Sequence, residues 1–339
     1  MRILVIGGTG SVGTPVVRQL VQQGHQLMVM HRGKKQAQLE PGVESLLAER
    51  ARLPELKAEL KGFAPEVVLD IFPLVEREAS IVVESVRGIA QRVVGIGSAD
   101  VYRAYGRLIG TEPGPIEPTP LSEDAPLRQK LYPHRAEPPR SADDPQRWMD
   151  DYDKIPVERA FMGDSELSGT ILRLPMIYGP GDRQHRNYSL VKRMQDRRPA
   201  IVLGQEYANW LSPRGYIDNV AAAIVLATTD ARAAGRIYNV AEEPPFTTVE
   251  WVRKLAEAMD WHGNIVTRQE EQLPASLKFD ANAKQHLSLD TARIRQELGY
   301  REPVGLDEAI KQTIAWELNN PPAASQLDYA AEDALLREA

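Results

Sequence analysis

Apolar runs alternate with helical patterns along the first hundred residues of the chain. Residues 3–6, 27–30 and 92–96 are short and mostly apolar, as buried parallel strands are. Residues 14–24 and 76–89 instead repeat their apolar positions at helical spacing. Because strands that alternate with helices form a parallel sheet covered by helices, the pattern predicts an α/β fold.

The same alternation continues through the rest of the chain. Further strands are predicted at residues 42–47, 66–74, 169–178 and 237–240. Further helices, one of them capped by Thr247 or Thr248, are predicted at residues 53–60, 249–259, 289–298 and 306–318. After Asn319, an end rich in Ala and Glu predicts a short appended helix or a frayed tail.

Residues 104–147 interrupt this pattern with nine prolines among charged residues. Proline lacks the backbone donor that helices and central strands require, so regular structure is not expected here. Loops of this length are commonly binding lids or disordered segments. Two interpretations therefore stay open for this proline-rich segment, a cover over a substrate or a disordered surface insert.

Composition and charge exclude several classes of binding partner for this chain. The 339 residues include no cysteine, and they suffice to bury a full core without covalent staples. The six histidines lack ligand spacing, so we expect no metal. A net charge of −6 argues against a nucleic-acid partner, which requires a basic face. No apolar run is long enough to span a bilayer and no signal peptide precedes the first strand, so we expect no membrane partner and a cytoplasmic protein.

The first strand runs into a turn with few side chains. Gly7, Gly10 and Gly13 separate that strand from the first helix. Glycine supplies the unusual dihedral angles of such a turn and lets a pyrophosphate approach the backbone at the helix N-terminus. This strand, turn and helix context predicts dinucleotide binding, and the alternative is a turn that is only structural.

The sequence GGTGSVG, with its GxxGxxG spacing, resembles the short-chain dehydrogenase/reductase superfamily, in particular the extended branch of NAD-dependent epimerases and dehydratases. RLPMIYGPGD, at residues 173–182, is similar to a well-marked segment of that branch. The resemblance covers residues 1 to about 318 and implies a doubly wound Rossmann sheet with a smaller C-terminal substrate lobe. It implies that the cofactor is bound by Gly7, Thr9, Gly10, Ser11, Val12, Gly13, His31, Arg32, Glu49, Asp70, Ile71, Lys154, Pro175 and Ile177.

Two of these positions depart from the family pattern. Relatives end the fourth strand in small residues beside the cofactor, where this chain has Asp70. His31 stands where NAD-binding relatives carry an acidic residue, and Arg32 follows it. Because arginine can pair with the 2′-phosphate of NADP, we favour NADP over NAD as the cofactor. The alternative is that Arg32 forms a solvated loop with Lys34 and Lys35.

Ser98 is the first candidate for the catalytic chemistry. It ends the predicted fifth strand in the segment GSADVY, which is similar to the strand end that bears the Ser or Thr of extended family members. The carboxyl end of a parallel strand lies at the ligand crevice of an open α/β sheet. The resemblance implies that Ser98 hydrogen-bonds the substrate oxygen whose proton is transferred. The alternative is a serine that satisfies backbone groups in a tight turn.

The tyrosine and lysine that the family pairs are not at their usual spacing. In a YxxxK motif the two side chains share one face of a helix. Here Tyr152 is followed four positions later by Pro156, and Lys154 is preceded four positions earlier by Asp150. Lys154 takes the lysine position because Glu158 follows it at the interval that relatives often show.

Pro156 predicts that a helix starts near it, with Tyr152 in extended chain just before that start. We therefore hypothesise that Tyr152 and Lys154 form a displaced catalytic pair beside Ser98. The alternatives are a site that lacks the proton-transfer tyrosine, or one that recruits Tyr102.

Tyr102, Arg183 and Arg214 are the candidate substrate-binding residues. The resemblance implies that Arg214 binds the diphosphate of a nucleotide sugar, for which bidentate pairing is suited. An ion pair with Asp218 is the alternative. Arg183 begins a basic stretch, residues 183–198, that either attracts a phosphorylated substrate or forms a solvated helix face.

These features predict an NAD(P)-dependent epimerase, dehydratase or reductase that acts on a sugar or nucleotide-sugar-like small molecule by hydride transfer at a carbinol carbon. The alternative is a catalytically degenerate NAD(P)-binding sensor or partner-binding protein. We expect a cofactor-binding domain at residues 1–178, a mainly substrate-binding lobe at 179–318 with segments that return to the Rossmann sheet, and a tail at 319–339. The resemblance also implies a homodimer.

Overall fold

The fold is built on one large parallel sheet. The computed structural model describes residues 1–33 and 39–337. Its strands are β1 (Arg2–Ile6), β2 (Gln26–His31), β3 (Glu44–Leu47), β4 (Val67–Asp70), β5 (Arg92–Ser98), β6 (Ser168–Leu174), β7 (Met176–Tyr178), β8 (Ala200–Gly204), β9 (Arg214–Tyr216), β10 (Arg236–Asn239) and β11 (Asn264–Arg268). Its α-helices are α1 (Gly13–Gln22), α2 (Lys57–Phe63), α3 (Glu76–Val86), α4 (Arg103–Leu108), α5 (Lys154–Met162), α6 (Tyr188–Gln195), α7 (Gln205–Asn209), α8 (Ile217–Thr229), α9 (Thr248–Ala258), α10 (Ala292–Leu298), α11 (Leu306–Asn319) and α12 (Ala330–Arg337).

Strand order places a ligand crevice at the middle of the sheet. Over residues 1–33 and 39–337, seven strands lie in the order β10-β6-β5-β4-β1-β2-β3, and all neighbouring pairs are parallel. The chain reaches the edge at β3 and returns to β4 beside β1, so the winding reverses between β1 and β4. Ligands of open α/β sheets bind outside the carboxyl ends of the strands at such a reversal. The predicted doubly wound Rossmann sheet is therefore confirmed.

Helices cover both faces of this sheet. Ile3 and Val5 of β1 pack in the layer that contains α1 and α8, whereas Leu4 and Ile6 pack in the layer that contains α2, α3 and α5. Successive side chains of a strand point to opposite faces, so a strand buried on both faces must be apolar throughout. This requirement explains the continuous apolar runs of the sequence.

The C-terminal half adds a smaller lobe. Two parallel strand pairs, β8 with β11 and β7 with β9, lie in this lobe. Helices α6, α9 and α11 pack together around buried residues such as Trp251 and Ile310. The helix α9 begins at the predicted cap, where Thr247 and Glu250 form a reciprocal capping box. Over the described ranges, no helix has both the length and the apolar character needed to cross a bilayer.

Prolines account for two differences from the predicted elements. The helix predicted at residues 53–60 is instead a 3₁₀ helix, Arg50–Glu55, followed by α2, and Pro54 lies inside the 3₁₀ helix. The segment 169–178, predicted to hold a strand and its exit, contains two strands, β6 and β7, separated by Pro175, which has no N–H for a strand ladder. The helix predicted at 289–298 begins only at Ala292.

Candidate active site

The turn after β1 is packed so tightly that it excludes side chains. The Gly10 N–H donates to the Gly7 carbonyl at 3.2 Å, and Gly7 has a φ of +86°. A Cβ atom on Gly13 would lie 2.3 Å from the Gly7 carbonyl oxygen, a backbone atom that cannot move away. Helix α1 begins at Gly13, so its unpaired N–H groups lie at the turn. Bare backbone beside a helix N-terminus suits a pyrophosphate.

A cleft of about 530 Å³ opens beside this turn. It is lined by the turn, the loop after β7 and the end of α11, through Thr9, Gly10, Ser11, Thr14, Gly181, Arg183, His185, Trp316, Asn320 and Pro321. Arg183 lines this cleft together with the glycine-rich turn, and its predicted contact with substrate stays a prediction. His185 stacks on Trp316 at 5.1 Å between ring centroids and so fixes this wall of the cleft.

The ring of His31 is engaged within the protein at the end of β2. Its Nε2 atom is 2.8 Å from the Ser45 hydroxyl, and its Nδ1 atom accepts from the Gly33 N–H at 3.2 Å. Arg32 follows as an exposed side chain. Outside the described residues lie Lys34 and Lys35. The predicted contact of His31 and Arg32 with the adenosine half of the cofactor stays a prediction.

Two large apolar side chains are exposed at the carboxyl edge of the sheet. Leu47 ends β3 and is 66% exposed, and Phe72 follows β4 and is 60% exposed. Glu49, predicted near the adenine, is also exposed and lies just beyond Leu47. Exposed apolar groups at a ligand crevice provide the kind of wall that a planar base requires.

Asp70 does not offer its carboxylate to a cofactor, contrary to the prediction. It is fully buried, and Arg50 donates to both carboxylate oxygens, with Nη2–Oδ1 at 2.7 Å and Nε–Oδ2 at 3.1 Å. The Phe72 N–H donates to Oδ1 as well. A buried charge must be paired, and this pairing uses the atoms that a cofactor would need. Ile71 stays beside the turn, with its Cβ atom 3.7 Å from the position of a Cβ on Gly7.

The structure brings Ser98, Tyr152 and Lys154 to the same end of the sheet. The Tyr152 hydroxyl donates to Asp100 Oδ2 at 2.5 Å, and Ser98 Oγ accepts from the Asp100 N–H at 3.2 Å. Burial and the Asp100 carboxylate raise the pKa of Tyr152 well above its ordinary value, against a smaller opposing effect of a hydrogen bond with Ser98. The Lys154 ammonium lies 6.0 Å from the centre of the Tyr152 ring.

Lys154 is the first residue of α5, so Tyr152 lies just before the helix and does not share its face. The helix begins two residues before Pro156, which is tolerated because the first N–H groups of a helix have no internal partner. Lys154 Nζ donates to the carbonyls of Ile96 at 2.9 Å and Pro73 at 2.5 Å. Burial lowers the pKa of Lys154 to about 8, against the opposing effect of nearby carboxylates such as Asp100.

Tyr102 lies in the core and does not reach the site. Its hydroxyl donates to Asn239 Oδ1 at 2.5 Å and accepts from Arg173 Nη1 at 3.0 Å, and the side chain is fully buried. Burial raises the pKa of Tyr102 to about 12. The suggestions that Tyr102 binds substrate or replaces the catalytic tyrosine are therefore wrong, because both functions require access to a ligand.

The proline-rich segment is folded against the start of α5. Arg128 and Asp153 are both buried and pair with Nη2–Oδ1 at 2.9 Å, and the Tyr132 N–H donates to Asp153 Oδ2 at 2.6 Å. Asp150 accepts from the backbone N–H groups of Ala136 at 3.1 Å and Arg140 at 2.8 Å. The interpretation of this segment as a disordered insert is therefore wrong, and the segment covers Tyr152.

Sequence reasoning missed three side chains around Tyr152. Asp100 accepts a hydrogen bond from the Tyr152 hydroxyl. The His134 ring lies 5.7 Å and the Trp148 indole 6.0 Å from the Tyr152 ring, centroid to centroid. Trp148 is 47% exposed. Asp100 stands two residues after Ser98 in GSADVY, so its acidic character was a visible signal. No local pattern marks His134 or Trp148.

Pro175 and Ile177 lie at the same edge of the sheet as Ser98. Leu174, the last residue of β6, is in register with Ser98 of β5, so Pro175 follows directly beside that strand end. The Ile177 side chain is partly buried, and its carbonyl accepts from Arg186 Nη1 at 2.8 Å. Contact of Pro175 and Ile177 with a nicotinamide stays a prediction that this location favours.

Arg214 does not form the ion pair with Asp218 that was the alternative to ligand binding. Asp218 pairs with Arg18 instead, with Nη2–Oδ1 at 2.7 Å. The Arg214 guanidinium lies 5.0 Å from the centre of the Trp251 ring and donates to the Phe246 carbonyl at 3.1 Å. Among the described residues no carboxylate lies within ion-pair distance of it. Burial lowers the pKa of Arg214 to about 10. A partly buried guanidinium without an anionic partner is a candidate site for a phosphate.

The basic stretch at residues 183–198 is largely neutralised within the molecule. Arg193 pairs with Glu332, Nε–Oε1 at 2.7 Å, and Arg198 pairs with Asp333. Both acids belong to α12, the C-terminal helix, which folds back onto α6. A helical tail thus covers the face that was expected either to attract a phosphorylated substrate or to be solvated.

Comparison with known proteins identifies relatives. The 3-beta hydroxysteroid dehydrogenase/isomerase family model matches residues 157–269. The uncharacterized protein y4nL of Sinorhizobium fredii is 27% identical over 195 residues, 49% of this chain and 53% of that protein, so the chain spans about half the length of this relative. The 2'-dehydrokanamycin reductase of Streptomyces kanamyceticus is 26% identical over 268 residues, which cover 76% of this chain and 67% of the reductase.

Solved structures share the whole fold. UDP-glucuronic acid 4-epimerase from Bacillus cereus, in complex with UDP-glucuronic acid and NAD, superposes with a TM-score of 0.67 at 15% identity, over 94% of this chain and 99% of the epimerase. This likeness agrees with the strand order and the glycine-rich turn of the present chain. The chain is thus similar to the NAD-dependent epimerases, dehydratases and reductases of the extended short-chain dehydrogenase/reductase superfamily.

Proposed function

We propose that this chain is an enzyme that binds NADP or NAD and epimerises, dehydrates or reduces a sugar or nucleotide-sugar-like substrate. The observation that carries the proposal is that two features lie at the carboxyl edge of the sheet. A turn that excludes side chains follows β1, and a group of ionisable and hydroxyl side chains follows β5. The first suits a dinucleotide and the second suits proton transfer to or from a substrate hydroxyl.

The residues present suit a nicotinamide dinucleotide. The turn at Gly7, Gly10 and Gly13 would hold the pyrophosphate, with Thr9, Ser11 and Val12 around it, and the exposed Leu47 and Phe72 would flank the adenine. When bound, the cofactor would supply or accept a hydride at the carbinol carbon of the substrate. Lys154 would position the nicotinamide ribose with its ammonium group.

Preference for NADP is part of the proposal. The carboxylate that would accept hydrogen bonds from the ribose of NAD is replaced by His31, whose ring is already engaged by Ser45 and Gly33. Arg32 is exposed beside it and can pair with a 2′-phosphate. These two observations favour the phosphorylated cofactor.

The substrate proposal rests on Arg214 and on the relatives. Arg214 is partly buried against Trp251 without a carboxylate partner in the described ranges, which suits a diphosphate. The Bacillus cereus epimerase binds UDP-glucuronic acid, and the Streptomyces kanamyceticus relative is named as a 2'-dehydrokanamycin reductase. We propose for this chain a substrate whose reacting part is a sugar carbinol or ketone.

Domain organisation and assembly belong to the same proposal. Residues 1–178 would bind the cofactor, with residues 104–147 as a cover over the substrate. Residues 179–318 would mainly bind the substrate, with β10 returned to the main sheet beside β6, and residues 319–339 would form the tail. A homodimer stays a prediction from the family resemblance.

Turnover of a substrate panel tests this function. UDP-glucose, UDP-glucuronic acid and dTDP-glucose would be incubated with the protein and NADP or NAD, and products separated by chromatography. We expect at least one to be converted, and Tyr152→Phe to lower turnover by about 10²–10⁴-fold without loss of cofactor binding. Tyr329→Phe, which alters a hydroxyl bonded to Asp196 on the tail side, is the matched control and keeps full activity.

The opposing outcome would identify a different class of protein. This outcome has three parts: NADP or NAD binds, no substrate is converted in a panel widened to free sugars and aminoglycosides, and Tyr152→Phe has no measurable effect. Together they would indicate that the chain is a cofactor-binding sensor. One observation favours this second function: the Lys154 ammonium already donates to two backbone carbonyls.

A further inference from the structure

The hydroxyl of Tyr152 points at a carboxylate and not at the lysine. Tyr152 Oη lies 2.5 Å from Asp100 Oδ2, whereas the Lys154 ammonium lies 6.0 Å from the centre of the ring. The ammonium is itself engaged by the carbonyls of Pro73 and Ile96. A phenol can be activated only by a group within hydrogen-bond reach, so the lysine cannot take this proton directly.

The carboxylate of Asp100 has no other hydrogen-bond partner in the described part of the chain. Asp100 is 9% exposed, and its Oδ1 atom is buried without a hydrogen bond. Arg128 lies near Asp100, but it donates to the Asp100 backbone carbonyl at 2.6 Å and not to the carboxylate. Its ion pair is with Asp153. Buried carboxylates are normally paired with a cation, so a buried carboxylate that meets only a phenol is an exception that calls for a function.

We propose that Asp100 is the proton partner of Tyr152, so that an aspartate and tyrosine pair performs the proton transfer for which relatives use a tyrosine and lysine. The inference rests on the proposed function, because it assigns a positioning and proton-accepting residue to the same site. Ser98, whose hydroxyl accepts from the Asp100 N–H, fixes the loop that carries the carboxylate.

The proton path balances in both directions. When a carbinol is oxidised, the substrate O–H bond breaks and its proton goes to Tyr152 Oη, while the proton of Tyr152 moves to Asp100 Oδ2, which becomes a carboxylic acid. The oxidised nicotinamide of the proposed function would accept the hydride from the carbinol carbon. When a ketone is reduced, the carboxylic acid returns its proton through Tyr152 to the substrate oxygen. The net transfer is one proton between substrate and Asp100.

Ionisable groups from each neighbouring element surround this pair. Tyr105 lies on α4, Lys154 begins α5, and Arg128 and His134 come from the proline-rich segment. Burial lowers the pKa of His134, so that ring is neutral around Tyr152 at ordinary pH. Asp100 is thus the negative charge in direct contact with the phenol.

Ionisation of Tyr152 in the cofactor-free protein tests the contact without any need for activity. Tyrosine absorbance would be titrated with pH in the wild type and in Asp100→Asn, and the Tyr152 component isolated by subtraction of the matching Tyr152→Phe proteins. We expect Asp100→Asn to lower the titration midpoint of Tyr152 by about one pH unit or more, because a neighbouring anion opposes the phenolate. An unchanged midpoint would overturn the proposal. Asp100→Ser serves the same purpose if the amide variant does not fold.

Asp151→Asn is the matched control for this titration. Asp151 adjoins Tyr152 in sequence but is exposed, and it pairs with Arg147 at 3.2 Å. The control removes an equal charge one residue away and should leave the Tyr152 midpoint unchanged. An equal shift in the control would show a general charge effect and would also contradict the proposal.

Turnover separates a proton partner from a merely structural contact. On any substrate found, Asp100→Asn should lower kcat by about 10²-fold or more with KM unchanged, and Asp100→Glu should recover part of the loss. Equal kcat in the wild type and Asp100→Asn would overturn the proposal. If no nicotinamide cofactor binds at all, the proposed function fails, whereas the tyrosine titration still reports on Asp100.

Discussion

The two halves of the candidate site are built in different ways. The glycine-rich turn spans consecutive residues 7–13, and it works through the absence of side chains. The Tyr152 half collects its parts from the end of β5, the proline-rich segment and the start of α5. A site of contiguous backbone has a local sequence signature, whereas a site of distant side chains has none until the chain is folded. The comparison shows why a glycine-rich turn can be recognised from sequence, whereas the grouping of side chains around Tyr152 cannot.

Stability also has a different origin in each half. Close backbone packing fixes the turn, as the short distance from Gly13 to the Gly7 carbonyl shows. Buried ion pairs fix the Tyr152 half, among them Arg173 with Glu158 under β5 and β6. Substitutions should therefore act by steric overlap in one half and by unpaired charge in the other.

Loss of a buried charge should give the largest effect. Arg173→Met removes the partner of buried Glu158, held at 2.8 Å, and also the donors to the Tyr102 hydroxyl and the Glu123 carbonyl. We expect the free energy of unfolding to fall by about 3–5 kcal/mol, because the remaining carboxylate is buried without a cation. Urea denaturation measures the change.

An exposed ion pair provides the control for that substitution. Arg52 pairs with Glu55 at 3.0 Å, and both side chains are more than half exposed. Arg52→Met should cost only about 0–1 kcal/mol. A loss for Arg173→Met as small as that of the control would mean that buried charges do not stabilise this half.

Steric overlap in the turn should have the next largest effect. A Cβ on Gly13 would lie 2.3 Å from a backbone oxygen and 2.6 Å from the carbonyl carbon of Gly8. We expect Gly13→Ala to destabilise the protein by about 1–3 kcal/mol and to abolish cofactor binding, because the backbone must move out of its cradle. Thermal unfolding and a cofactor titration would measure the two effects.

Gly62→Ala is the matched control for the turn. Gly62 lies in α2, and a Cβ there would meet no atom within 4 Å. Alanine in a helix should stabilise by up to about 1 kcal/mol and leave cofactor binding unchanged. If both glycine variants behaved alike, packing of the turn would not be the cause.

A substitution that alters cofactor selectivity should have a smaller effect, confined to the half of the site that contains the glycine-rich turn. Arg32 is exposed beside the end of β2. Arg32→Ser should weaken NADPH binding by about tenfold and leave NADH binding nearly unchanged, because only NADPH carries the 2′-phosphate. Arg52→Ser, at an exposed arginine of the 3₁₀ helix, is the control. Equal weakening of both cofactors would contradict a phosphate contact.

Acid pH should destabilise the packing of the proline-rich segment, residues 104–147, over Tyr152. At neutral pH this effect is negligible. Burial opposes ionisation of Asp150, but hydrogen bonds from Ala136 and Arg140 outweigh it and lower the pKa of Asp150. A depressed folded pKa gives stability that is present above the unfolded pKa of about 3.9 and is lost as pH falls through the folded value.

Limited pepsin digestion at acid pH measures this effect. Cleavage within residues 104–147 should increase as pH falls, and Asp150→Asn should remove part of that pH dependence. Asp143→Asn, at an exposed carboxylate of the same segment, is the control and should keep the wild-type profile. Identical profiles for the wild type and Asp150→Asn would show that Asp150 does not hold the cover.

Sequence reasoning predicted what depends on local pattern. The parallel sheet follows from apolar runs, a cap at Thr247 or Thr248 from the helical pattern that comes after them, and the start of a helix after Tyr152 from Pro156. Contacts between distant segments were not predictable in this way. Asp70 was expected to face a cofactor, yet Arg50 takes its carboxylate.

Two further errors have the same cause. Tyr102 was a candidate for the site because it lies near Ser98 in sequence, but its side chain turns into the core and bonds Asn239. Within the basic stretch, which was expected to meet substrate or solvent, Arg193 and Arg198 are instead neutralised by α12, which returns from the C-terminus. Neither partner is close in sequence, so no local pattern could reveal the contact.

The central claim is that the turn after β1, which lacks side chains, holds a nicotinamide dinucleotide. The most direct test is a fluorescence titration of NADPH and NADH with the purified wild-type chain, Gly13→Ala and Gly62→Ala. We predict saturable binding of at least one cofactor to the wild type and to Gly62→Ala, with NADPH the tighter of the two, and none to Gly13→Ala. Failure of the wild type to bind either cofactor, or undiminished binding by a folded Gly13→Ala, would contradict it.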